Sequence, residues 1–520
     1  VARKRRKFPH GHRLISSLGP AILAIPALAQ AGPASAPAGP GELASLPRLA
    51  EVDPRFLSYN VEMVEVTGGR FWAPYGGPPD EMYRMRPPED LTNRRLRALT
   101  RHLGPSYMRV SGTWANTTYL EAPGENLSAP PAGYRQVLTR AQWQGVLAFA
   151  RAVNARIGTS FAVGDGTRGP DGVWRNDQAQ RLIDLTRQSG GEIAFAEFIN
   201  EPNAAGLGGL PKGYGVKDYT RDFALFLKWA RKAAPDMRII GPGGVGEGAG
   251  LDRIPVAVRE NLLLTEKLME ASPGTLDGVS YHFYGAVSQR CKGSSIGIAD
   301  KDSALEPSWL DLTLRDWRYY SGLRDRFEPG DDIWVTETAQ AACGGSPWAS
   351  TFLDSFRYVN QLGLLAQKGV KVVFHNTLAA SDYALIDRDT HQPRPNYWAA
   401  VLWKRIMGTT VLKAPASPSV QVRLYAHCLT GTRGGVGLAA LNIGEAHQSL
   451  DAPSGADVWT MTAEPIDSAQ VKVNGKRPEL AADGALAGLK PIRAKGSIAL
   501  PARSITFIAV RGVRNAACKS

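Results

Sequence analysis

From Arg55 to about Gly408 the chain repeats one theme eight times. A short apolar, β-branched run ends in small or polar residues, and a stretch with helical periodicity follows it. The runs are residues 55–63, 106–112, 156–163, 193–200, 237–241, 276–284, 332–337 and 371–376. Residues 218–232 show the helical half of the unit, with Tyr219, Phe223, Phe226, Leu227 and Ala230 at 3.6-residue spacing. Residues 351–369 do the same with Phe352, Phe356, Val359, Leu362 and Ala366, and Gly369 stands where a C-terminal cap is wanted. Eight strand–helix units in about 350 residues predict a parallel sheet closed as a (β/α)8 TIM barrel over 55–408. An open doubly wound sheet is the competing fold, and it would carry a phosphate-binding loop after its first strand. The one G-x-G-x-x-G match, Gly241, Gly243 and Gly246, follows the fifth strand and lacks the acidic partner about twenty residues on. It reads as a Gly-rich loop, and dinucleotide binding is set aside.

Past Gly408 the texture changes to short alternating runs separated by Gly, Pro, Asn and Asp, with no helical segment between them. Residues 409–520 therefore read as a smaller antiparallel β-sandwich, and 45–54 as an N-terminal strand joining it. Residues 32–44 begin with GPASAPAGPG and read as a flexible linker. Residues 1–31 combine a basic start, an apolar middle and Ala29-Gln30-Ala31, which describes a secretory signal. Six of the Lys and Arg residues behind the net charge of +13 lie in that segment, leaving +7. A charge of that size tolerates an acidic partner without specifying one, and no nucleic-acid module is present. No run of 18 apolar residues occurs, so no membrane span is expected. Export to a secreted or periplasmic location permits disulfides among Cys291, Cys343, Cys428 and Cys518, whose spacing contains no C-x-x-C. Cys291 and Cys343 both follow strand ends on the same barrel face and form a possible pair.

In such a barrel the chemistry sits at the C-terminal ends of the strands. Two runs end there in glutamate, the fourth at Glu201 (FINEPN) and the seventh at Glu337 (IWVTE). Each follows an apolar strand that cannot leave a charge unpaired. The two carboxyls could seal the barrel mouth as partners of cations. They could equally be the pair that hydrolyses a glycosidic bond, one protonated as acid and one ionised.

These residues also carry a resemblance. Asn200-Glu201-Pro202 is similar to the acid/base motif of the clan A glycoside hydrolases, whose nucleophile ends the seventh strand, where Glu337 stands. More narrowly, the chain resembles the heparanases and β-glucuronidases of glycoside hydrolase family 79, a bacterial heparanase being the expected kind. The matching segments are RFLS at Arg55, LGPSYMR at Leu103, SGT at Ser111, NEPN at Asn200, ET at Glu337, GG at Gly344, YALID at Tyr383, YW at Tyr397 and KR at Lys404. The resemblance implies Glu201 as acid/base, Glu337 as nucleophile and Asn200 as a partner of the sugar 2-OH. It implies that His282 and Tyr284 orient the nucleophile, although either ring could simply be packed. Glu62 and Thr113 match positions that line the sugar subsite, and each could instead be structural. A glucuronate carboxylate would be met by backbone N–H groups at Cys343 and Gly344 and by the Tyr383 hydroxyl. Cys343 departs from the mammalian members, which have Gly there. A Cys428–Cys518 disulfide is implied in the same way. The segment 121–133 replaces the long excised linker of mammalian heparanases, which implies an active single chain.

The expectation is a retaining endo-β-D-glucuronidase of heparan sulfate-type acidic glycans, monomeric, with no cofactor and no metal. The alternatives are an exo-β-glucuronidase, with 121–133 walling off one end of the site, and a non-catalytic glycan-binding protein. Additional Lys or Arg lining the cleft belongs to the first reading. Asn116-Thr-Thr and Asn126-Leu-Ser also match the N-glycosylation sequon.

Overall fold

A computed structural model describes residues 40–519 except 79–80, 205, 207, 251–261 and 292–296. The signal sequence expected over 1–31 and most of the linker lie outside the described residues. The end of the predicted linker is not extended: Pro40–Ala44 forms a short helix. Its Leu43 is fully buried against Leu412, Leu438 and Val510, because a Gly-Glu-Leu-Ala stretch has an apolar residue to bury as soon as a neighbouring sheet offers a surface.

The barrel strands are β1 (Leu57–Glu62), β2 (Ser106–Ser111), β3 (Ala155–Ser160), β4 (Ile193–Glu197), β5 (Arg238–Ile239 with Gly241–Val245), β6 (Val279–Phe283), β7 (Ile333–Thr338) and β8 (Val372–His375). All pair in parallel, in ring order, with β8 returning to β1. The fifth position differs from the single strand read over 237–241. It is divided at Ile240 into Arg238–Ile239, bonded to β4, and Gly241–Val245, bonded to β6. The Gly-rich motif is thus barrel wall, and Gly243 turns with φ of 75° close against Glu197.

Inward-facing side chains stack in layers. Tyr107, Phe195, Trp334 and Phe374 fill the lower barrel with a dry aromatic plug. Two residues further along their strands, Arg109, Glu197 and Thr336 form a polar layer with Ser280. The outer helices follow the predicted periodicity with one change. Helix Val216–Ala233 buries Trp229 rather than Leu227 among Tyr219, Phe223, Phe226 and Ala230. Trp229 reaches Phe161, Trp174 and Phe226, and its indole N–H donates to Gln180 at 2.8 Å.

Helix Phe352–Gln367 is buried on nearly every side, which an amphipathic reading does not anticipate. The reason is the C-terminal domain. Its main layer is an eight-stranded antiparallel sheet whose one face sends Tyr425, Leu441, Ile505 and Phe507 into the same core as the barrel helices. Tyr425 lies against Gly363, where an added Cβ would stand 2.4 Å from the ring, and its hydroxyl donates to Asn360 at 2.7 Å. The sandwich is lopsided. A two-stranded sheet, Gln448–Asp451 with Ser497–Leu500, covers part of the other face through Leu450, Ile498 and Leu500. Strand Arg48–Glu51 pairs antiparallel with Met407–Leu412 at one edge of the large sheet. The Cys428–Cys518 disulfide fastens the C-terminal tail to it.

Candidate active site

Three local devices aim the glutamates. In β7, alternation from Trp334 and Thr336 would turn Glu337 outward. A register shift against β6 pairs Tyr281 with Val335 but His282 with Glu337, so two successive residues face the barrel axis. Thr336 Oγ1 accordingly donates to Glu197 at 2.7 Å, while Thr338 faces the outer helix and meets Gln361. After β4 the backbone leaves the strand at Glu197, earlier than the 193–200 reading. Asn116 then clamps Asn200: its Nδ2 donates to the Asn200 carbonyl at 3.0 Å and its Oδ1 accepts from the Asn200 N–H at 3.1 Å. Glu201 follows with φ of 50°, a left-handed conformation unusual for a residue with Cβ. On the β1 side, Glu62 precedes helix Met63–Thr67 and receives the Gly112 backbone at contact distance. A Cβ at Gly112, whose φ is 89°, would overlap the Glu62 carboxylate.

One carboxylate oxygen each of Glu201 and Glu337 and one ring nitrogen of His282 all lie within 4.8 Å of one another. His282 Nδ1 is 2.9 Å from Glu201 and 3.7 Å from Glu337. Arg109, fully buried, donates to Glu197 at 2.8 Å, to Glu337 at 3.0 Å and to Asn200 at 2.7 Å. It also approaches His282 Nε2 at 3.2 Å; a guanidinium only donates, so in the neutral ring Nε2 accepts and Nδ1 carries the proton toward Glu201. Tyr284 donates to Glu337 at 2.7 Å. The Asn376 amide, at the end of β8, reaches the Tyr284 hydroxyl at 2.9 Å, the Tyr383 hydroxyl at 3.1 Å and Glu62 at 3.2 Å.

The charge states follow from these contacts. Burial, reinforced by the Glu337 charge and opposed by the His282 bond, lifts the Glu201 carboxyl above the usual range. Burial with the Glu337 and Glu65 charges lifts Glu62 further still. Glu197 goes the other way: burial pushes it up, but Arg109, His282 and the bonds from Ser280 and Thr336 outweigh this and hold it ionised. His282 is pulled down by burial yet ends above its ordinary value, because Glu337 and Glu201 favour the imidazolium. Glu201, His282 and Glu337 are also donors of a type that could hold a divalent cation. Such an ion would have to displace Arg109 from Glu337 and the His282–Glu201 bond, so the set is better suited to protons.

The sequence-derived residues Glu62, Asn200, Glu201, His282, Tyr284, Glu337 and Tyr383 thus converge on one network. Thr113 does not join it; half-buried, it opens the turn Thr113–Thr117 and lines a neighbouring groove. Cys343, Gly344 and Gly345 have φ of 61°, 78° and 82°, and Gly345 packs on Tyr383. Their amide N–H groups donate to no other described residue. Cys343 is bridged to Cys291, so the loops after β6 and β7 are covalently joined. Arg290 braces them, donating to the Cys343 and Gly345 carbonyls at 3.3 and 2.8 Å and stacking on Tyr75 at 3.8 Å. Arg109, Asn116, Glu197 and Asn376 are the network members that the sequence reading did not single out. The available signal was an arginine two residues before Ser111 on an inward-facing stripe.

No protein-family model matches the chain. Heparanase of Mus musculus is 25% identical over 537 aligned residues, spanning 90% of this chain and 92% of its own. Hyaluronoglucuronidase of Hirudo nipponia is 24% identical, with 83% and 92% covered. The chain is a heparanase-like glycoside hydrolase of family 79. Among solved structures, a 4-O-α-L-rhamnosyl-β-D-glucuronidase from Fusarium oxysporum superposes with a TM-score of 0.63 at 12% identity, over 90% of this chain and 99% of that one. The shared fold therefore extends through both the barrel and the sheet domain of this heparanase-like chain.

Proposed function

We propose that the chain is a retaining endo-β-D-glucuronidase that cleaves glucuronosyl linkages in heparan sulfate-type acidic glycans. The observation that carries the mechanism is that one carboxylate oxygen of Glu201 lies within 4.8 Å of one of Glu337. Double displacement needs the two carboxyls about 5–5.5 Å apart, whereas inversion needs about 6.5–9.5 Å to admit a water. Glu201, held above the usual carboxylate range, protonates the leaving oxygen. Glu337, which accepts hydrogen bonds from Arg109 and Tyr284, attacks the anomeric carbon. The bond that forms consumes the Glu337 charge, which removes one of the influences raising Glu201. Glu201 then accepts a proton from water, and the water oxygen displaces Glu337.

Glucuronate is favoured by the N–H groups of Cys343 and Gly344, which donate to no other described residue, in a loop that packs on the Tyr383 ring through Gly345. Glucuronidase action is also in the name of the Hirudo nipponia relative. Endo action is favoured by a groove of about 830 Å³ that opens beside the site at Thr113 and Trp114. Arg70, Arg86 and Arg135 line it and no acid does. Segment 121–133 contributes Leu127 to Pro130 to the lining of this groove. Export is favoured by the two disulfides. No helix among the described residues is long and apolar enough to cross a membrane.

The deciding experiment sizes the products formed from heparan sulfate and follows the anomer released. Internal fragments with a β-configured reducing end are expected. Release of single glucuronate units would replace endo by exo action, and an α-anomer would replace retention by inversion. Glu337→Gln should lower kcat by on the order of 10⁴-fold while the far-UV spectrum is unchanged; near-normal turnover would remove Glu337 as nucleophile.

A further inference from the structure

A second groove, of about 690 Å³, runs along the outside of the barrel between helices Asp177–Gln188 and Val216–Ala233. Its upper end is Trp174, Arg175 and Asn176, in the loop layer that follows β3, on the same barrel face as the glutamates. Its lower end is Arg187, Lys232 and Ala233, one helix length away, or about 18 Å for twelve residues. The floor is apolar: the exposed Leu225 supplies its accessible surface, over the buried Trp174 and Trp229. The walls carry Arg175, Arg187, Lys228 and Lys232, and no carboxylate lines the groove. Asp171 pairs with Arg175 at 2.8 Å and Asp184 accepts from Gln180 at 2.9 Å, while Asp177, next to Asn176 in the chain, is exposed. Arg187 is braced on the Ala233 carbonyl, which fixes one wall to the other. Lys228 and Lys232 stand one helical turn apart, both exposed, and form no ion pair among the described residues.

We infer that this groove is an accessory site for a linear, sulfated or carboxylated polysaccharide, separate from the catalytic cleft. The chemistry fits that ligand class on two counts. A row of cations spaced along an 18 Å trough matches anionic groups repeated along an extended chain. The exposed Leu225 offers apolar surface to the C–H faces of sugar rings, which a purely ionic patch lacks. The ligand class rests on the glucuronidase reading; the groove itself does not. A polymer held here would be presented to the catalytic face at raised local concentration, so the site would act on affinity for long substrates and leave bond cleavage untouched.

The test is the double reversal Lys228→Glu with Lys232→Glu in the full chain. The control, Lys476→Glu with Lys490→Glu, makes the same change in net charge on the sheet domain. At low salt the groove variant should elute earlier from a heparin column, and its KM for heparan sulfate should rise about five- to tenfold. Its kcat/KM on a small aryl β-glucuronide should match that of the parent, and the control should behave as the parent throughout. Equal elution and equal polymer KM for groove variant and control would overturn the inference. So would a parallel loss on the aryl substrate. If the parent cleaves neither substrate, the glucuronidase reading falls, while the heparin column still reports on the groove.

Discussion

Glu201 and His282 show how one contact sets a working pH. In the proposed mechanism Glu201 must be protonated to start the reaction, so activity should be lost as pH rises through its raised pKa. The His282 bond favours the carboxylate and therefore opposes that rise. Replacing His282 by Gln removes the ring and its charge, and the basic limb of the kcat/KM profile should move to higher pH even as kcat falls. A limb that moves to lower pH would assign it to another group. Several of the residues in this network were legible from the sequence because polar groups at the ends of apolar strands are conspicuous. Arg109 and Glu197 were not, since they lie within strands, where a single polar residue breaks an apolar run without announcing a partner. Their meaning depends on residues 88 positions apart meeting inside the barrel, across the strand that separates theirs. Asn116 was read only as a sequon, although its side chain is fully buried against Asn200.

At the scale of elements, the eight strands could be read because buried parallel strands are near-continuous apolar runs. What escaped were the features that depend on neighbours: the division of β5 at Ile240, the bulge that turns Glu337 inward, and the burial of helix Phe352–Gln367 on both faces. That helix is one place where the barrel and the sheet domain share a core, and Gly363 is a point of close approach. Gly363→Ala would ordinarily favour a helix. Here the added methyl meets the Tyr425 ring, and overpacking of this kind costs about 1–3 kcal/mol. Chemical unfolding should show the loss, and in a Tyr425→Ala background it should largely vanish. An unchanged midpoint for Gly363→Ala alone would mean that the two elements are free to separate.

For the whole molecule, the two disulfides divide the labour. Cys291–Cys343 joins loops at the catalytic face, and Cys428–Cys518 closes 90 residues of the sheet domain. In the chain-entropy description a closure of that length is worth about 4–5 kcal/mol. Converting Cys428 and Cys518 to Ala should therefore lower resistance to chemical unfolding strongly and leave aryl glucuronide turnover in the folded fraction intact. A comparable loss of turnover per folded molecule would show that the sheet domain governs the site directly.

The buried Asn116 side chain carries a consequence for biosynthesis. A cell that attaches glycans to nascent secretory chains reads Asn116-Thr-Thr before any barrel exists. In the finished protein the Asn116 amide nitrogen is committed to the Asn200 carbonyl in a space closed to solvent, so an oligosaccharide there is incompatible with the clamp beside Glu201. Asn126, in an exposed loop, has no such conflict. Material made in a glycosylating host should divide accordingly: peptide mass spectrometry of the active fraction should find sugar at Asn126 and a bare Asn116. Chains decorated at Asn116 would be retained by quality control or secreted without activity, and a host that does not glycosylate would give the more uniform enzyme.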